Sequence, residues 1–245
     1  MLGTDSPLAR SDSVSHLSTV ADVFRFRVAP CGLTPVRRLE SLVERKLADV
    51  RRLEDAPTHS FAEQFDRVVE GVPTAQPYRS RIVFESPPAE VRAILRSGRQ
   101  GYLGPAHLPE VADRLSGAPR DVRLDLASEL LHGASPDRVA LLARWVWNPS
   151  RRTGALAEFS ASPADSHVKA QARLGELRLE LETLGFPCAT FGGVDVVLAL
   201  TYAGRLQQTA SDQLRSGGLE SLLPGPFPLA AMILGVRRRV AHADR

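Results

Sequence analysis

Between Arg138 and Ala157 the chain carries four arginines, no acidic residue and both of its tryptophans, Trp145 and Trp147. A guanidinium fork matches the oxygens of a phosphate, and an indole ring stacks on an exposed base or on another arginine. Arg144, Trp145, Trp147, Arg151 and Arg152 therefore form a candidate nucleic-acid-binding surface. Arg237, Arg238 and Arg239 would enlarge it if the fold brings the C-terminal region alongside. Spacing sets a limit: residues two apart on a helix point in different directions. One tryptophan is expected to pack inward and the other to reach a rim.

A competing chemistry uses carboxylates. Glu176 and Glu180 lie one helical turn apart and Asp195 follows, a set that could serve a divalent-metal-dependent hydrolase or nuclease. The same spacing is that of an ordinary solvated helix face. Ser166-His167-Val168-Lys169 has the Ser-x-x-Lys spacing in which a desolvated lysine activates a serine. Its companion motifs do not occur, and a helix-start serine beside a solvated lysine accounts for it. His16, His59, His107, His132, His167 and His242 form no short ligand pattern, and surface or capping roles are expected for them. Two cysteines, Cys31 and Cys188, read as reduced buried thiols. Phe191-Gly192-Gly193 reads as a structural turn, because phosphate-binding glycines follow a strand and open a helix. No catalytic residue, metal ligand or cofactor is assigned.

The elements that must position these groups are mostly helices. Val36, Leu39, Val43, Leu47, Val50 and Leu53 recur at three- and four-residue steps, which predicts a long amphipathic helix from Val36 to Glu54. Further helices are expected over Ser60–Val69, up to about Ser97, over Leu108–Leu115, Val122–Leu131, Pro136–Trp147 and Ala164–Leu184, then from Tyr202 to Leu214 and at the C-terminal region. Ser135 would cap the Pro136–Trp147 helix and Asn148-Pro149 would end it. Alternation predicts a strand within Val20–Val28, branched residues predict another over Val194–Leu200, and Arg81–Glu85 is a third. Ala155–Phe159 is ambiguous. The expected fold is mainly α with a small β component (α+β), about eight helices and three or four short strands. Residues 1–18 are expected to be a flexible N-terminal segment, 19–75 an N-terminal helical region and 76–245 the main helical region, continuous with the preceding one or not.

Composition narrows the classes. The 245 residues carry a formal net charge of +3, and 43% are hydrophobic, which suits a globular protein. Basic and acidic groups nearly balance in each half, so any attraction to nucleic acid must come from a local patch. No apolar run approaches the roughly 20 residues needed to span a bilayer, and the start of the chain lacks a secretory pattern. A cytoplasmic, non-enzymatic binding or regulatory protein is expected, with DNA or another nucleic acid as its partner. The alternatives are the carboxylate enzyme and a protein-interaction scaffold using an amphipathic helix, self-association included.

Overall fold

A computed structural model of the chain describes residues 20–151, 153–159, 164–186, 188–214 and 224–237. Among them the longer helices are α1 (Leu33–Glu54), α2 (Thr58–Glu70), α3 (Arg79–Glu85), α4 (Pro88–Gln100), α5 (Leu108–Arg114), α6 (Arg120–Ala134), α7 (His167–Thr183), α8 (Phe191–Leu214) and α9 (Pro226–Ile233). Short π and 3-10 turns connect some of them. The six apolar positions that predicted α1 are all at most 3% exposed. Their stripe is used within the chain: α1 packs against α2, α4, α6 and α8.

Two close approaches lock this centre. A Cβ on Gly133 of α6 would sit 2.4 Å from Cγ1 of Val50 on α1, so glycine lets the Val50 side chain pack directly onto the α6 backbone. Gly235, at φ +70°, lies so near the Gly71 carbonyl that a Cβ would be 1.9 Å from its oxygen. That contact draws the end of α9 onto the turn after α2.

The expected β component is absent among the described residues, where the sole bridge is an isolated one between Asn148 and Thr153. All three predicted strands are helical. Residues 20–23 are α-helical and Phe24–Val28 continues as a π-helical turn, with Val20 and Val28 buried and Phe24 edge-on to Phe186. Arg81–Glu85 belongs to α3, and Val194–Leu200 lies inside α8. From Val196 to Leu200 every residue is 0% exposed, so burial on all sides produced the apolar run. Such a run has no period by which to tell an enclosed helix from a strand. The Gly192-Gly193 turn is instead the first turn of α8, where a Cβ on Gly192 would crowd Glu44 of α1 at 3.1 Å. Ala155–Phe159 is a 3-10 turn.

The error runs the other way at Pro136–Trp147, which forms no helix. Val139 through Ala143 are all buried, with no polar face for a surface helix to present. This segment is a strap drawn across the core.

Residues 1–18 and part of the last connection lie outside the described residues. No helix among those described is long and apolar enough to cross a membrane.

Candidate functional site

Helix α6 is enclosed over a full ten residues, Asp125 to Ala134, yet it carries Asp125, Ser128, Glu129 and His132. Buried polar groups need partners, and the strap supplies most of them. Asp125, Ser128 and His132 share one face of α6, at steps of three and four. Asp125 Oδ1 accepts from the Arg144 amide at 2.9 Å, and Ser128 Oγ accepts from the Leu142 amide at 2.6 Å. Gln171 of α7 accepts from the Ala140 amide at 2.8 Å and donates to the Arg138 carbonyl at 3.1 Å. Every second amide from Ala140 to Arg144 is thus satisfied by a side chain. The strap needs neither helix nor sheet.

His132 has a polar neighbour at each ring nitrogen. Nδ1 lies 2.6 Å from the Val139 carbonyl, which can only accept, so Nδ1 carries a proton. Nε2 lies 2.8 Å from Asp195 Oδ2 of α8, a charge contact off the ideal hydrogen-bond direction. A lone pair held against a carboxylate would be repelled, so this geometry favours the imidazolium. Burial opposes that charge, but Asp195, the Val139 carbonyl and Glu129 together outweigh it and raise the His132 pKa above its ordinary value.

One turn earlier, Glu129 meets Lys46 of α1, whose Nζ is 2.8 Å from Oε1 and 2.7 Å from Oε2. The same ammonium donates to the Leu234 carbonyl at the end of α9, at 2.9 Å. Lys46 is one of only two lysines among the 31 basic residues. It is closely enclosed, since a Cβ on Gly71 would already lie 3.1 Å from its Cε. A compact ammonium fits there; a planar guanidinium is wider and needs more partners. Two cations and two anions thus alternate in the core, and Lys46, Glu129, His132 and Asp195 tie α1, α6, α8 and α9 together.

Ser128, His132 and Asp195 include the residue types of a nucleophilic triad, but their geometry is different. Both imidazole nitrogens are engaged elsewhere, and the Ser128 oxygen serves the Leu142 amide. All three residues are at most 2% exposed. In this arrangement they hold the fold.

The residues expected at an Arg/Trp surface are placed as follows. Arg144 Nε donates to Asp125 Oδ2 at 3.0 Å, and its Nη1 pairs with Asp121. Trp147 is 7% exposed, donates its indole N–H to the Ala164 carbonyl at 3.2 Å and meets the His167 ring edge-on. Trp145 is half-buried and packs towards Tyr202. Arg151 and Arg237 are exposed, while Arg152, Arg238 and Arg239 lie outside the described residues. The carboxylates do not gather either. Glu176 and Glu180 face Arg173 at 2.6 and 3.6 Å, whereas Asp195 belongs to His132. Among the described residues no group of three metal-ligating side chains converges. Ser166 caps α7 by accepting from the Lys169 amide, and Lys169 pairs with Asp165 on the surface. Cys188 is buried, and burial, reinforced by Glu182 and Glu40, pushes its thiol up to about 12. At such a value it is not a nucleophile at neutral pH.

A different set of arginines does come together. The C-terminal ends of α1 and α4 lie side by side, and a cavity of about 210 Å³ between them is lined by Arg51, Arg52, Glu54, Asp55, Leu95, Arg99 and Ala134. Glu54, 7% exposed, anchors the basin: Arg99 lies 2.8 Å and Arg96 3.5 Å from its Oε1. Arg138, at the start of the strap, reaches in to the Arg99 carbonyl. All five arginines are exposed. The buried carboxylate holds the Arg96 and Arg99 guanidinium groups, while Arg52 pairs with Asp49 at 3.2 Å.

Compared with known proteins, the chain matches no family model, no curated protein and no solved structure.

Proposed function

We propose that this protein is a non-enzymatic binding protein whose ligand is nucleic acid, engaged by its phosphates. The observation that carries the reading is the basin of Arg51, Arg52, Arg96, Arg99 and Arg138 around Glu54. Arginine presents a planar fork that suits phosphate oxygens, and holding the forks in advance lowers the ordering cost of binding. The Asp49 and Asp55 carboxylates temper the local charge, so affinity should be moderate and strongly salt-dependent. Enclosure of the acid-base groups of α6 favours binding over turnover. Arg151 lies in the turn after the strap, and the strap's first arginine, Arg138, is bonded to the Arg99 carbonyl at the edge of the basin.

The test is fluorescence anisotropy with a labelled single strand and a labelled duplex, titrated between about 50 and 200 mM salt. Binding should weaken steeply with salt, with a logarithmic slope of about −0.7 to −0.9 per phosphate engaged. Arg51→Gln/Arg52→Gln should weaken binding and reduce that slope by about one to two phosphates' worth. No binding at the lowest salt, or unchanged binding and slope in the double variant, would overturn the proposal.

A further inference from the structure

A second surface, which shares no lining residue with the basin and is independent of the nucleic-acid reading, is built on α3. The helix is held from behind. Ile82 is fully buried, and Gly117, at φ +82°, lies so close that a Cβ would be 2.5 Å from the Arg81 carbonyl carbon and the Ile82 nitrogen. Ser86 Oγ accepts from the Ser116 amide at 3.3 Å. On its outer side Phe84 is 91% exposed, beside exposed Pro87 and Pro88 and half-buried Val83. These residues, with Ala62 and Ser80, line a groove of about 570 Å³. A rigid platform thus presents a protruding aromatic ring directly beside an apolar hollow.

The charges around Phe84 have a symmetry of their own. Arg81 and Glu85 pair at 3.3 Å along α3 and stay 69% and 40% exposed. They are equally far from Val83 in sequence and opposite in sign. When two copies of α3 pack antiparallel about a two-fold axis at Val83, each Arg81 faces the other copy's Glu85. Each Phe84 then stands level with the other copy's position 82, between the groove residues Ser80 and Val83. A two-fold interface must be complementary to itself, and this face carries a cation, a knob, an anion and a hollow.

We propose that this face is a homodimer interface, in which a second copy of the chain packs α3 against α3 with Phe84 exchanged between the grooves. A buried phenylalanine removes only about 150–250 Å², well short of the roughly 800 Å² per partner of a stable complex. The dimer is therefore weak, with a dissociation constant on the order of micromolar.

Sedimentation velocity of the full chain from about 1 to 200 µM reads it directly across the affinity range expected. The wild type should shift from monomer to dimer over that range. Phe84→Glu should abolish the shift, raising the dissociation constant at least about 100-fold, since an unpaired charge enters an apolar contact. Arg81→Glu alone should weaken the dimer about tenfold by setting like charges face to face, and Arg81→Glu/Glu85→Arg should restore it. All three positions lie on the surface, so helical circular dichroism should stay unchanged. A wild type that stays monomeric overturns the proposal, as does a dimer that survives Phe84→Glu. A charge-reversed double variant as weak as Arg81→Glu overturns the antiparallel register.

Discussion

Lys46→Met is expected to destabilise the protein by about 4 kcal/mol. Methionine keeps most of the aliphatic stem and removes the ammonium, so the effect is one of charge rather than volume. The side chains of Lys46 and Glu129 are 7% and 5% exposed, which leaves almost no water to replace the lost partner. Stripping one member from such a pair costs about 3–5 kcal/mol, because the other charge stays buried. Two local features bear on the figure. His132 also feels the Glu129 carboxylate and compensates in part, while the Leu234 carbonyl loses a donor 2.9 Å away, a loss of about 1–3 kcal/mol when unsatisfied. These adjustments oppose one another, so the expectation stays near the middle of the range. Lys46→Met/Glu129→Leu removes both charges and should fall within about 1.5 kcal/mol of the wild type, since an apolar pair of similar volume needs no desolvation. Urea unfolding followed by helical circular dichroism and tryptophan fluorescence gives both numbers, with the denaturant slope serving as a check on the unfolded state. A single-variant loss below about 1 kcal/mol, or a double variant as unstable as Lys46→Met, would refute the reasoning from a buried pair.

Two further outcomes follow from the same core. His132 has a folded pKa above its unfolded value near 6.5, so its contribution is fully present below that value and is lost as pH rises through the folded pKa. His132→Gln should therefore lose more stability near pH 6 than near pH 9 (a window of about three units around the ordinary imidazole value), and unfolding midpoints across that window that show the opposite trend would contradict the imidazolium assignment. Gly133→Ala should cost about 1–3 kcal/mol by overpacking against Val50, and Val50→Ala should relieve part of that loss; thermal melts that find the two effects simply additive would place the α1–α6 contact elsewhere.

The sequence was most legible where an element had one wet face. α1 shows its apolar stripe at helical spacing because Arg37, Arg45 and Arg52 on the other side remain in water, and the expected helix and the observed one nearly coincide. It was least legible where an element is enclosed all round. Along Val196–Leu200 of α8 and Val139–Ala143 of the strap every residue is apolar and buried, so periodicity carries no information and branched residues mislead. The polar residues of α6 failed for the complementary reason. Asp125, Ser128, Glu129 and His132 look like the wet side of an amphipathic helix, but leucines and alanines occupy the intervening positions on every side. The signal was weak: the four polar residues neighbour one another at steps of three and four, as on a wet face, and only the leucines and alanines on the remaining sides point to enclosure. The partners themselves, Lys46 and Asp195, lie 83 and 63 residues from Glu129 and His132 along the chain, and no local pattern links them. At the arginine basin the obstacle was similar. Arg51 and Arg52 meet Arg96 and Arg99 only because α1 and α4 end side by side, whereas the Arg144 side chain, conspicuous beside two tryptophans, is committed to Asp121 and Asp125.

The strap has a consequence for the order in which the chain acquires its structure. Helices close contacts only a few residues apart and form within microseconds, whereas a stretch whose partners are distant waits for long loops to close. The amides of Ala140, Leu142 and Arg144 have as partners side chains 14 to 31 residues away, on two different helices. Residues 139–144 therefore have no native shape of their own to find early. They acquire one when α6 and α7 are already in place to receive them, which leaves this apolar stretch exposed to wrong partners until then.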